Sequence, residues 1–372
     1  MSPQTRLQQE IAEDAVGDRG GLAPPPEVNA TRIRRRVFQL ALVAVVAIAV
    51  ITLVPGLAGL RERFAHADGG WLALGVVLKV LSGVCYVLAF RSVFCPSMRW
   101  RVSFEIGFSE LGANAVLPVG GAGGLALGAW ALGRGGMEPA RIARRSVAFF
   151  FLTSVPNVLG VIVLGCGLAV GLFGGHTNTA LAIVPACVAA SAVVFTIAAG
   201  RWAAAGERRL TASGRTRAAA VLRAFAGGVE EALALMRGAE PALLVGLVGY
   251  LFFDVMLLWA SFHAFGTSPP LAIIWIGYLI GELGGLIPIP GGIGGVELGV
   301  VGTLVLYGLP VGATTAAVLG YRAIGLLVPA VLGFIAFAML RRTLAREAVA
   351  ISCCEPGGTV EVIGRGAVKL EA

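Results

Sequence analysis

An all-α polytopic integral membrane protein of two inverted repeats, each holding a broken re-entrant helical hairpin, is the fold this sequence predicts. The composition is 57% hydrophobic and only 13% charged, against about a quarter charged in soluble domains. Apolar stretches of about 20 residues recur, each long enough to cross a hydrocarbon core of roughly 30 Å. Two further apolar stretches carry glycine and proline in their middles, at matching places in the two halves of the chain.

Residues 1–36 are polar, contain Pro24-Pro25-Pro26 and lack a secretory leader's pattern, so they read as a disordered cytosolic tail. The membrane domain covers 37–342, with uninterrupted crossings near 37–58, 71–94, 146–173, 179–200, 241–265 and 312–340. The broken stretches are 104–133 and 271–308. Pro118, Gly120, Gly121, Gly123 and Gly124 interrupt the first; Pro288, Pro290, Gly291, Gly292, Gly294 and Gly295 interrupt the second. Both residue types disfavour the interior of a straight spanning helix. The linker 201–238 sets Leu222, Phe225, Val229, Leu233 and Met236 at helical spacing beside arginines. It reads as an amphipathic helix on the anionic inner leaflet. Residues 343–372 form a cytosolic C-terminal tail, with enough alternation from Thr359 to Leu370 for a short hairpin.

The formal net charge is +8, nearly all of it arginine, since lysine occurs only at Lys79 and Lys369. The arginines cluster between apolar stretches, the signature of the positive-inside rule rather than of a nucleic-acid partner. Arg32, Arg34, Arg35 and Arg36 place the N-terminus inside, and Arg341, Arg342 and Arg346 place the C-terminus inside. Arg99 and Arg101 precede the first broken stretch and Arg134 and Arg141 follow it, so it enters and leaves at the cytoplasmic face. The flanks of the second carry no charge, so it enters from outside. The expectation is a multi-pass protein of the cell (plasma or inner) membrane with both termini cytoplasmic. Arg61 and Arg63, in a short outer loop, depart from the rule.

The two broken stretches resemble each other about 171 residues apart. Gly120 to Gly128 aligns with Gly291 to Gly299, and Pro139 with Pro310. Glu110-Leu111-Gly112 matches Glu282-Leu283-Gly284, and Val155 to Gly160 matches Val328 to Gly333. Repeat one covers about 65–175 and repeat two about 236–342. One unit enters from inside and the other from outside, so the repeat is inverted. Paired inverted repeats with interrupted segments point to a transporter with its site near the midplane. The plainer account is a duplication kept for packing.

Lys79, Glu110, Asp254, Glu282, Glu297 and Arg322 lie inside apolar stretches, where each charge costs about 2.5–3.5 kcal/mol on insertion scales unless paired or hydrated. Glu297 stands one turn past the second glycine run and Arg322 lies in the next helix, so an ion pair between them is expected. Lys79 and Asp254 come from equivalent crossings and are placed to face one another. Asn114 is placed to hydrogen-bond the first hairpin or a ligand. For each the plainer role is to fix helix packing. Backbone N–H groups where the second half-helices begin would suit an anion such as phosphate. The six cysteines and three histidines have no metal-ligand spacing, and no Walker motif is present, so neither cofactor, metal nor ATPase chemistry is expected.

Pro290-Gly291-Gly292-Ile293-Gly294 followed by Glu297, then Gly308-Leu309-Pro310, Tyr321-Arg322, Pro329 and Gly333, resembles the transmembrane flippase-like domain of the lysylphosphatidylglycerol synthase/flippase family. Asn114, Leu117-Pro118, Gly120-Gly121 and Gly123-Gly124 are similar to that family's earlier motif, and the resemblance covers roughly 35–342. It implies movement between leaflets of a lipid with a polar or anionic headgroup: a phospholipid, an aminoacyl-phospholipid or a polyprenyl-linked glycolipid. Glu297 and Arg322 hold the motif positions. The substrate-binding and translocation residues expected are Glu297, Arg322, Glu110, Glu282, Asn114, Lys79 and Asp254, the carboxylates meeting cationic parts or exchanging protons. Only about 30 residues follow the last crossing, so the family's large synthase domain is not expected here and the chain is read as no enzyme. Two other readings stand beside this one. One is a non-transporting membrane partner of a lipid- or glycan-modifying enzyme, and the other is an intramembrane enzyme acting on lipid.

Overall fold

The computed structural model describes residues 58–116, 122–171, 179–212, 216–238, 240–282 and 295–346, and every regular element among them is an α-helix. In order these are α1 (Ala58–Ala65), α2 (Gly69–Phe94), α3 (Trp100–Val116), α4 (Ala122–Arg134), α5 (Pro139–Ala169) and α6 (Thr179–Ala212). There follow α7 (Thr216–Gly238), α8 (Pro241–Ala264), α9 (Leu271–Glu282), α10 (Gly295–Leu306) and α11 (Val311–Arg346). Helices α2, α5, α6, α8 and α11 contain the stretches long and apolar enough to cross a bilayer. The predicted crossing at 37–58 lies outside the described residues, apart from Ala58 at the start of α1, and both tails lie outside them too.

Local chemistry explains where several helices begin and end. The Asp68 side chain accepts from the Gly70 N–H at 2.7 Å and so satisfies one of the free donors opening α2. Pro139 and Pro241 start α5 and α8, where a missing N–H does no harm. Just beyond α4 and α10 stand Gly136 and Gly308, at φ 90° and 91°, a left-handed turn that a side chain would strain.

Both broken stretches are pairs of short helices packed side by side. Gly124 and Gly128 of α4 lie against Asn114 and Glu110 of α3, so numbering rises on one helix as it falls on the other. Gly281 and Gly277 of α9 lie against Val300 and Leu304 of α10 in the same antiparallel sense. The glycines permit this approach, since a Cβ on Gly299 would stand 2.8 Å from the Gly281 carbonyl oxygen. Pro118, Gly120, Gly121 and the run from Pro290 to Gly294 lie outside the described residues, while Gly123 and Gly124 sit in the first turn of α4.

The centre of the molecule is the antiparallel pair α2–α8, the most extensive helix contact. Trp71 meets Trp259, Gly75 meets Leu257, Ser82 bonds the Tyr250 carbonyl, and Gly246 lies against the backbone of Cys85 and Ala89. Around this pair, each short-helix pair sends its first helix onto a long helix of the other half. α3 packs on α11, where a Cβ on Gly112 would fall 2.7 Å from the Gly333 Cα. α9 packs on α5, where a Cβ on Gly160 would fall 2.8 Å from Leu279. Phe90, Phe94, Ile106, Leu152, Leu243 and Leu340 fill one apolar cluster, and Leu257, Leu258, Phe262, Ile274, Val300 and Leu304 the other. Large apolar side chains such as Val163, Val194, Phe195, Leu327 and Phe334 are exposed along the long helices, as lipid-facing surfaces require.

The stretch 201–238 is not one surface helix. Its first part, to Ala212, prolongs α6 without a break, and Thr216–Gly238 is α7. Ala219, Ala226, Val229 and Ala232 bury the apolar face of α7 against protein, with Phe225 on Phe151 and Gly228 on Val147 of α5. Glu231 accepts from Arg144 at 2.6 Å and from Arg145 at 2.9 Å, and Arg145 also donates to the Phe94 carbonyl at 2.6 Å. Thus α7 is tied to the ends of α5 and α2.

Candidate functional site

The intramembrane polar residues come together. On α2 and α8, Lys79 Nζ lies 2.6 Å from Asp254 Oδ1, with side chains 10% and 8% exposed. The second oxygen, Asp254 Oδ2, accepts from the Tyr278 hydroxyl of α9 at 3.3 Å. The Tyr278 ring meets Tyr321 of α11 edge-on, with centroids 6.1 Å apart. The next residue, Arg322, donates through Nε to Glu297 Oε1 of α10 at 2.6 Å, both side chains being about one-sixth exposed (17% and 16%). Both pairs expected from sequence are therefore in contact.

Glu282 ends α9 within the electrostatic reach of Arg322, Asp254, Lys79 and Glu297. Five ionisable groups from five helices thus share one region, and three of them are acids. Burial makes such a group expensive unless each charge is matched, because attraction must offset lost hydration.

The polar set continues toward the first short-helix pair. Tyr250 of α8 touches the Tyr86 ring of α2 with centroids 5.4 Å apart, and the Tyr86 hydroxyl donates to Glu110 Oε2 of α3 at 2.9 Å. Glu110 is 1% exposed, and Gly128 of α4 lies directly against its carboxyl. One turn on, Asn114 Oδ1 accepts from the Gly124 N–H at 2.7 Å, so this side chain holds the first hairpin. One of the donors expected to be open to phosphate is therefore occupied by Asn114.

A ladder of polar side chains therefore runs from Glu110 through Tyr86, Tyr250, Asp254–Lys79 and Tyr278–Tyr321 to Arg322–Glu297. Sequence reasoning named Tyr321 only as part of a motif and missed the other three tyrosines, although four of the chain's five belong to the ladder. Their scarcity and position within apolar stretches were the available signal, since a buried phenol needs a polar partner. Glu105 was also missed. It is 3% exposed, accepts from Arg101 at 3.0 Å through Oε1, and its Oε2 is buried without a hydrogen-bond partner among the described residues. The four-residue spacing from Arg101 was its signal.

An all-helical, multi-pass membrane protein with a buried polar ladder between two helical pairs is the class these features define. Residues 38–333 match the model of the lysylphosphatidylglycerol synthase TM region, and the chain belongs to that family. A comparison with curated proteins gives no match.

Proposed function

We propose that the chain moves a lipid with a polar or anionic headgroup between the leaflets of the cell membrane, with both termini cytoplasmic. The observation that carries this reading is the ladder itself, which joins the two hairpins through the middle of a chain otherwise apolar toward lipid. Family membership supports a lipid-related role.

The halves of the broken stretches number 17 and 13 residues, and 12 and 12. At 1.5 Å per residue they reach about 18–25 Å, short of a core of roughly 30 Å. Each pair acts as a re-entrant hairpin. The antiparallel α2–α8 contact, and the exchange by which α3 meets α11 while α9 meets α5, support repeats related by inversion. The headgroup passes between the hairpins, its phosphate taken by Arg322 and its acyl chains left in lipid. Glu297 holds Arg322 in place until the phosphate arrives.

A silent membrane partner of a lipid- or glycan-modifying enzyme has no need of carboxyl groups set among apolar helices without a cation bonded to them. Glu110 and Glu282 accept no hydrogen bond from a cation among the described residues, which favours transport. Binding tests the site. Fluorescent phosphatidylglycerol should bind the purified chain in detergent and lose affinity with Arg322→Ala, while diacylglycerol, which lacks the phosphate, should bind neither. Equal binding of both probes, unaffected by the substitution, would remove Arg322 from the path.

A further inference from the structure

Glu110 differs from the other carboxylates of the ladder in its surroundings. Asp254 and Glu297 each touch a cation, and Glu282 has Arg322 and Lys79 in reach. Glu110 hydrogen-bonds only the Tyr86 phenol among the described residues, a partner that carries no charge.

What each neighbouring helix presents is uncharged. α2 offers Tyr86, with Phe149 of α5 and Tyr250 of α8 behind its ring. α4 offers Gly124 and Gly128, and α11 meets the adjoining turn of α3 through Gly333. A Cβ on Gly128 would overlap Glu110 Oε1, so this glycine makes the room that the carboxyl occupies. An ionised carboxylate sealed here, with one neutral donor and no cation, is strongly disfavoured. The acid form carries no charge to bury.

We propose that Glu110 takes up and releases one proton in each transport cycle, coupling headgroup movement to proton movement across the membrane. The proposal rests on the transporter reading and names its coupling. With the hairpin α3–α4 closed on α2, the carboxyl is sealed with its proton. When the hairpin parts from α2, the group meets water and releases that proton to the compartment it faces. The opening then switches to the opposite side while the group is still hydrated, and there it takes up the next proton before the hairpin closes. Glu282, at the matching place in the second half, differs in having Arg322 and Lys79 within electrostatic reach.

The test uses the full chain in liposomes and two readouts. Infrared spectroscopy records the carboxylic-acid carbonyl band, which needs no transport. The rate of fluorescent phosphatidylglycerol translocation is measured with and without an imposed pH gradient. The band should be present in the wild type, lost in Glu110→Gln and shifted in Tyr86→Phe, which keeps the acid but removes its phenol bond. The gradient should change the wild-type rate. No band belonging to Glu110, judged by an unchanged spectrum in folded Glu110→Gln and in Tyr86→Phe, overturns the proposal. Wild-type rates that are finite but blind to the gradient overturn the coupling and leave the transporter reading intact. No translocation under any condition overturns both.

Discussion

Arg322 and Glu297 are 25 residues apart in sequence and 2.6 Å apart in space, joining α11 to α10 immediately beyond the second glycine run. The contact is part-buried rather than sealed. Arginine suits this position because its planar fork can keep one bond to a carboxylate while offering others to phosphate.

Exchanging the two charges separates packing from transport. Arg322→Glu with Glu297→Arg keeps an ion pair between the helices and should preserve thermal stability in detergent. Translocation should fall at least about tenfold, corresponding to ~1.4 kcal/mol, because the cation has moved to the other helix. Wild-type activity in the exchanged protein would mean that only the pairing matters.

Lys79 and Asp254 form the most deeply buried ion pair among the described residues, and breaking it should be expensive. Lys79→Met alone leaves a buried carboxylate with no cation and should lower stability by about 3–5 kcal/mol. Adding Asp254→Leu should restore most of that loss. Thermal unfolding of the two variants decides the matter, and a single variant as stable as the wild type contradicts the assigned burial.

Most of the fold was legible because apolar length and broken apolar length are one-dimensional signals. The crossings at 71–94 and 241–265 reappear as α2 and α8 almost to the residue. Pro118 to Gly124 announced the break between α3 and α4. The arginine clusters separated the segments but gave no hint that Arg144 and Arg145 share Glu231 with α7. That contact joins residues 86 and 87 positions apart, and no local pattern encodes it. The same holds within the site. Arg322–Glu297 was readable from adjacent motifs, whereas Tyr278–Asp254 and Tyr86–Glu110 depend on which faces the helices turn to one another.

Backbone contact between α3 and α11 makes Gly112 and Gly333 intolerant of side chains. A Cβ on Gly333 would lie 2.5 Å from the Gly112 Cα and 2.6 Å from the Phe108 carbonyl oxygen. Gly333→Ala should therefore cost about 1–3 kcal/mol, as overpacking does, while Gly325→Ala on the same helix, with open space around it, should cost nothing measurable. Equal stabilities would contradict the close approach.

Asn114 should be a positioning residue of the first hairpin. Asn114→Ala removes the acceptor from the Gly124 N–H, a loss of about 1 kcal/mol, and should speed hydrogen exchange at that amide. Asn114→Asp keeps an acceptor at the start of α4 and should retain protection. Unchanged exchange in the alanine variant would show that the bond does not hold the hairpin closed.

The central claim is movement of lipid along the ladder, and its most direct test is dithionite quenching of fluorescent phospholipids in liposomes containing the purified chain. Wild-type protein should expose the inner-leaflet probe to quenching faster than protein-free liposomes, and Arg322→Ala, folded to the same degree, should not. Wild-type vesicles that quench no faster than empty ones, for phospholipid and polyprenyl-phosphate probes alike, would contradict the account.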